Sequence, residues 1–421
     1  MFADYIKFLR RNRDFRRLWY GSTISQLGDW FDSIALYILV LKLTGSPTAT
    51  AGLIVVQLLP GTFVAPFAGV VVDRLPRKAI MIASDLLRAA LVLCFLFVRS
   101  AETVWIVYPI MALKVSVSSF FEPARSSVVP SIVPREELVI SNIISGLTWS
   151  IMLSIGAAIG GLITHWFGPY IAIVLDAATF VGSAFCIATV RVPREVRPTT
   201  QKSSYHDLLD GARFLRRHTG IMVYALIKSG WGFVGGAMLL LPLIGRDIFP
   251  WGHEGALSVG ALMAARGVGT AIGPVVAHRI GGNSYQFLRR AIGPAMVVGA
   301  LGYMCIGLAP NLPLAVMAVV FAHIGGATVW VFSTVLLQMV TPDAFRGRVF
   351  ATEMASFTLT MAISVWIMGI VTDHLLKPQS AAIALGFVML FPAMFIWPLM
   401  ANIHLARRTH HEPITEPGES A

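Results

Sequence analysis

Charge is what this sequence has least of: only 13% of its 421 residues are Asp, Glu, Lys or Arg, about half of what a water-soluble domain carries. Cysteine is also scarce. Cys94, Cys186 and Cys305 all fall inside apolar runs, which excludes a disulfide framework and a zinc site of paired spacing and leaves them as packing residues. The chain has no Gly-x-x-x-x-Gly-Lys-Ser/Thr loop to cradle a phosphate, no His-Glu-x-x-His, no Gly-x-Ser-x-Gly and no Cys-x-x-Cys. Direct nucleotide coupling and a membrane-embedded enzyme are therefore disfavoured, and neither cofactor nor metal is expected. The N-terminus lacks a short apolar core ending in small residues; Met1 to Arg17 is basic and partly amphipathic, so the first apolar span is expected to act as an uncleaved membrane signal.

What is present is apolar: 56% hydrophobic residues, with a mean hydropathy of +0.72. Stretches of about twenty apolar residues, each able to cross roughly 30 Å of hydrocarbon, recur from Leu18 to Leu405. Twelve are expected, giving an all-α membrane protein. Its segments are a basic cytoplasmic start (1–17), a six-helix bundle (18–190), a polar linker (191–220), a second six-helix bundle (221–405) and a polar tail (406–421). With both termini in the cytoplasm, inner segments hold roughly 25 Lys and Arg against 4 in outer ones. That asymmetry explains the net charge of +11 without nucleic acid and places the chain, multi-pass, in a cell inner membrane. Within the linker, Tyr205 to Arg217 reads as an amphipathic helix on the inner membrane surface, with Leu208, Leu209, Ala212 and Leu215 as its apolar side. Pro130-Ser-Ile-Val-Pro-Arg-Glu-Glu-Leu138 echoes Gln338-Met-Val-Thr-Pro-Asp-Ala-Phe-Arg346, so the bundles are expected to be parallel repeats.

After the second span comes Gly69-Val-Val-Val-Asp73-Arg74-Leu-Pro-Arg77-Lys78. A topology-anchoring turn would account for its three bases but not for Asp73. With this glycine, acid and base spacing the chain resembles the major facilitator superfamily, with Pro76 in place of a usual glycine. The resemblance implies that Asp73 docks on the N-terminus of the eleventh helix, near Pro342 to Val349, when the cytoplasmic side closes. The matching second-half loop, Gly273 to Arg279, lacks the acid. In the fifth span, Gly156, Gly160 and Gly161 resemble the family's antiporter signature, with Ala157 where proline is usual; close helix packing is the competing reading. Gly267-Val-Gly269-Thr-Ala-Ile-Gly273 sits in an apolar helix with no preceding strand, so packing, not nucleotide binding, is expected there. Asn12 to Trp19, Ser25-Gln-Leu-Gly-Asp29-Trp30, Ser84-Asp85-Leu-Leu-Arg88, Phe121-Glu-Pro-Ala-Arg125 and Arg346-Gly-Arg-Val349 look like the enterobactin-exporter and macrolide-efflux branch.

Charges inside apolar spans are costly and thus functional candidates. Asp29 and Asp32 share a face of the first helix with Gln26, and burial with mutual repulsion makes them the leading proton-coupling pair. A fixed salt bridge to Lys114 or Lys228 is the alternative. The resemblance puts the helices of Lys114, Lys228 and His323 around a central cavity, so these three, with Trp30, Phe233 and Trp330, are cargo-contact candidates. Asp85 with Arg88 reads as a structural pair, and Asp176, Arg266 and Glu353 as conformational or salt-bridge residues. Pro60, Pro66 and Pro242, with Gly235 and Gly236, are expected to bend their helices beside a moving pathway. The reading is a secondary transporter, functioning as a monomer, that exports a small amphipathic drug, macrolide or siderophore against protons. The alternatives are an importer or lipid mover of the same fold, and a non-transporting receptor or scaffold.

Overall fold

The computed structural model describes residues 2–193, 205–282 and 284–402; the expected polar tail and the opening of the linker lie outside them. Fourteen α-helices follow in order among the described residues, with no strand: α1 Phe2–Arg11, α2 Arg13–Thr44, α3 Pro47–Arg74, α4 Arg77–Cys94, α5 Val107–Ile132, α6 Leu138–Ala188, α7 Tyr205–Arg217, α8 Thr219–Gly232, α9 Ala237–Leu243, α10 Ala256–Gly281, α11 Tyr285–Leu308, α12 Leu312–Val340, α13 Asp343–His374 and α14 Pro378–Asn402. Their starts follow the local chemistry. Ser46, Ser284 and Asn311 each accept a hydrogen bond from the backbone N–H three residues on, and Pro47 occupies a first-turn position whose missing N–H costs nothing.

At 51 residues, α6 would extend roughly 76 Å at about 1.5 Å per residue, far more than one crossing needs. It breaks at Gly168, whose φ of 80° only glycine adopts readily, ahead of Pro169. Its two legs are separate crossings. Counting α8 with α9 as one, the described residues hold twelve helices fit to cross a membrane, in two bundles of six. Within the first bundle α6 packs against α2 and α4, and α5 against α3 and α4; within the second, α12 packs against α10 and α11, α14 against α11, and α13 against α8.

The expected bend between α8 and α9 is present, and its freed backbone groups find a partner in α13. Ser364 Oγ accepts from Gly236 N at 3.0 Å and donates to Phe233 O at 2.6 Å. This is how a membrane helix tolerates a break.

The bundles touch mainly away from the end that carries the basic loops. At that far end Lys42 pairs with Glu254 at 3.0 Å, and His165 Nδ1 accepts from His253 N at 2.7 Å. Asp373 accepts from Ser46 Oγ at 2.8 Å and from Thr48 N at 2.9 Å, placing a carboxylate on the positive end of α3. Nearer mid-membrane, a Cβ on Gly161 would meet Ala256 O at 2.7 Å and Gly260 Cα at 2.9 Å. Such an approach of two backbones requires glycine.

The linker helix departs from expectation. Instead of floating on the membrane surface, α7 docks on the start of α13: Phe214 stacks on Phe345 at 4.3 Å, and a Cβ on Gly211 would come within 2.4 Å of Arg348 O. Phe214 and Leu215 are buried while Leu209 is exposed, and the side chain of Leu208 is not described. An apolar stripe can be read from helical spacing, but the protein surface that covers it cannot.

Candidate functional site

The site forms around one ammonium. Lys114, on α5, lies inside the first bundle among three carboxylates: Asp32 at 2.6 Å, Asp29 at 2.9 Å and Asp176 at 3.4 Å. Asp29 and Asp32 come from α2, one turn apart, and Asp176 from the second leg of α6. A second base, Arg88 of α4, pairs with Asp85 and stands 3.9 Å from Asp29. Phe180 lies under both cations, 4.3 Å from the Arg88 guanidinium and 5.4 Å from Lys114 Nζ. Asp32, Asp85 and Asp176 are fully buried. Asp29 keeps 41% of its side chain exposed.

Glycine makes the cluster possible. A Cβ on Gly28 would lie 1.9 Å from Thr179 Oγ1 and 2.3 Å from Asp176 Oδ1, so only a glycine lets α6 bring Asp176 this close to α2. Gly156 and Gly160 seat Trp30 in the same way: their Cβ atoms would meet its ring at 2.7 Å and its carbonyl at 2.9 Å. The antiporter-like glycines therefore act as packing residues on two fronts, toward Trp30 of the cavity and, through Gly161, toward the other bundle.

Asp29 opens into a cavity of ≈ 470 Å³ lined by α2, α3, α5 and α6 of the first bundle, with Met238 of α9 reaching it from the second, within the usual range for a small-molecule site. Its polar wall includes Gln26, Asp29, Tyr37, Gln57 and Lys114, and its apolar wall includes Trp30, Trp149, Met152 and Met238. Asp29, Asp32 and Asp176 offer oxygens close enough to share a metal ion, but Lys114 Nζ already stands among them as the counter-ion.

Of the residues singled out from sequence, Gln26, Asp29, Trp30 and Lys114 meet at this cavity. The remaining cargo candidates do not line it. Lys228 pairs with Glu353 at 3.1 Å and sits 4.4 Å from the Trp330 ring centroid inside the second bundle. Phe233 is 48% exposed at the α8–α9 break. His323 hydrogen-bonds Val319 O through Nδ1 at 2.9 Å and meets Tyr303 edge-on. Arg266, expected as a conformational or salt-bridge residue, has no carboxylate partner among the described residues; its Nη1 donates to Met263 Sδ at 3.5 Å. Sequence reading missed Tyr37 and Gln57, hydrogen-bonded to each other at 2.7 Å. A glutamine amid the apolar second span was the available signal.

In the loop after α3, Lys78 donates to Ala188 O and Val190 O at 2.7 and 2.8 Å, capping the end of α6, and Arg77 donates to Ser127 O at 3.2 Å. Gly69 lies in the last turns of α3 and Arg74 ends it, exposed. Asp73 makes no ion pair among the described residues, and α7 packs on the start of α13, where Asp73 was expected to dock.

The sequence profile of the transmembrane secretion effector family matches residues 9–416. Among known proteins, the chain is 26% identical to macrolide efflux protein A of Streptococcus pyogenes over 86% of its own length and 90% of that protein's. It is 24% identical to the putative bacilysin exporter BacE of Bacillus subtilis (strain 168), over 88% of this chain and 92% of that one. The fold superposes on an auto-inhibited peptide transporter of the POT family with a TM-score of 0.74 at 10% identity, covering 95% of this chain and 99% of that chain.

Proposed function

The chain belongs to the transmembrane secretion effector family of major facilitator transporters, and from that premise we propose that it exports a small amphipathic compound in exchange for protons. It is a multi-pass membrane transporter of a small molecule. The export direction is supported by relatives named for macrolide efflux and bacilysin export. The basic loops support a cell inner membrane with both termini in the cytoplasm. The far end, where the bundles meet, is then the outer one, and this conformation is closed to the outside. The chain works as a monomer, each copy having its own cavity.

One observation carries the proton coupling. Four carboxylates, Asp29, Asp32, Asp85 and Asp176, share two bases, Lys114 and Arg88. Away from water such an excess of negative charge is relieved by taking up a cation. Asp29, the one member open to the cavity, is where a proton or a cationic group of the cargo arrives. The two cannot both occupy it, and that competition is the exchange an antiporter needs. In the opposite state, with the far end parted, Asp73 docks on the start of α13 and holds the inner side shut.

The test is efflux measured in everted vesicles, across a panel of antibiotics and siderophores, with and without a collapsed pH gradient. Cargo accumulation that disappears with the gradient is the expected result. Uptake into intact cells that ignores the gradient would sink the proposal.

A further inference from the structure

We propose that His165 is a second proton-binding site, outside the cavity, and that a proton on its Nδ1 unlatches the far end so that the outer side opens. The inference rests on the reading of that end as the outer one.

At the far end the first leg of α6 meets the turn between α9 and α10, where His165 Nδ1 accepts from His253 N at 2.7 Å. The donor is a backbone amide, which has nothing to accept with. Nδ1 must therefore present its lone pair, and the ring must carry its single proton on Nε2. An imidazolium has an N–H on both nitrogens and would turn one of them on the amide. The contact between the bundles exists only with a neutral ring. His165 is half-buried, within reach of protons from water.

The turn is shaped for this contact. Gly252 and Gly255 have φ of 79° and 73°, and Glu254, at 52°, is the one non-glycine with positive φ among the described residues. Such a conformation persists where its surroundings over-determine it, and here Lys42 of the first bundle pairs with Glu254 at 3.0 Å. A Cβ on Gly252 would lie 2.9 Å from His165 Nδ1, so the ring reaches the amide of residue 253 past a bare glycine. Two adjacent residues of one turn are thus tied to the other bundle. One tie is an ion pair that persists through neutral pH; the other is a hydrogen bond that protonation abolishes.

The charged groups nearby do not neutralise a proton on His165. Glu254 is taken up by Lys42, and Arg246 stands 3.8 Å from Asp247. Arg99 lies over Tyr170 just beyond the α6 break, the His253 ring adds a second imidazole, and Asp373, next to His374, is committed to Ser46 and Thr48. No carboxylate pairs with His165 among the described residues. A free imidazole titrates near pH 6.5. If closure keeps the ring unprotonated, acidification to about pH 5.5 shifts the ratio of open to closed molecules about tenfold toward open, and above about pH 7.5 the effect vanishes. The outer side then opens where protons are plentiful and gives them access to Asp29.

Full-length protein in lipid nanodiscs, with Cys94, Cys186 and Cys305 replaced by alanine, is spin-labelled at cysteines substituted for Glu102 and Lys377, exposed positions of the two bundles at the far end. Distances are measured by double electron–electron resonance between about pH 8 and pH 5.5. A longer distance is expected to gain population by up to about tenfold as pH falls. His165→Asn keeps an acceptor near the position of Nδ1 and does not titrate, so it should stay closed at every pH. His165→Lys, which can only donate, should be open at every pH. His253→Ala keeps the backbone donor and should respond as the parent does. A parent without a pH response overturns the proposal. So does a response that survives in His165→Asn, which would belong to the aspartates, His253 or His374, and so does a His165→Lys variant that stays closed. The distances are read without cargo or gradient, so their outcome is separate from that of the vesicle assay of export.

Discussion

Asp29 and Asp32 are one helical turn apart and both reach Lys114, yet Asp32 is sealed in protein while Asp29 faces the cavity. One ammonium thus joins an enclosed carboxylate to an open one. The two positions should respond differently to the same substitution.

Asp29→Asn keeps the shape of the side chain and removes the charge at the cavity. Transport should lose its dependence on the pH gradient, with proton-driven efflux falling at least tenfold, while the thermal midpoint of the purified protein stays nearly unchanged. Vesicle transport at several external pH values, beside a melting curve, reads both. An unchanged pH profile would remove Asp29 from the coupling role.

Lys114→Met leaves three aspartates facing one another with Arg88 alone to offset them. Breaking a buried pair by removing one partner costs about 3–5 kcal/mol, so the variant should unfold at markedly lower temperature in detergent. Adding Asp32→Asn removes one uncompensated charge and should restore part of that loss. If the double variant were less stable than the single one, repulsion among the aspartates would not be what destabilises the protein without its lysine.

Gly28→Ala should displace Thr179 and Asp176, since its Cβ would fall within 2.3 Å of both side chains. Overpacking of this kind costs about 1–3 kcal/mol. A second change, Thr179→Ala, makes room and should recover part of the stability; thermal unfolding of the two variants gives the answer.

Gly161→Val drives a branched side chain into the backbone of α10 at Ala256 and Gly260. The far end should then close less readily. A cysteine pair in place of Ser46 and Asp373, whose side chains meet at 2.8 Å, should cross-link more slowly in this variant than in the parent. Equal rates would mean that the glycine crossing does not govern closure.

Asp373→Asn weakens the carboxylate cap on α3 at the same end. A cap is worth about 1 kcal/mol, a several-fold change in the equilibrium between conformers. Thiol labelling of a cysteine placed at Thr48, whose hydroxyl is buried at this end, should speed up accordingly, and labelling as slow as in the parent would mean that the cap does not govern closure.

The crossings, and Asp29, Lys114 and Gln26 as polar groups set inside them, were legible in the residues because hydrocarbon penalises charge and exposed backbone wherever they occur along the chain. The partners were not. Asp176 reaches Lys114 only because Gly28 is bare, a contact between residues 28 and 176 that no local spacing encodes. Lys228 looked equivalent to Lys114 in sequence, yet α13 brings Glu353 to it and leaves it off the cavity wall.

Composition and span length alone therefore determined that this is a polytopic helical protein with few, costly, internal charges. Which charge meets which was decided by tertiary packing, through glycine contacts that set how closely helices distant in the chain approach. An ion pair depends on separations of a few ångströms in space, and hydropathy along the chain carries no record of them.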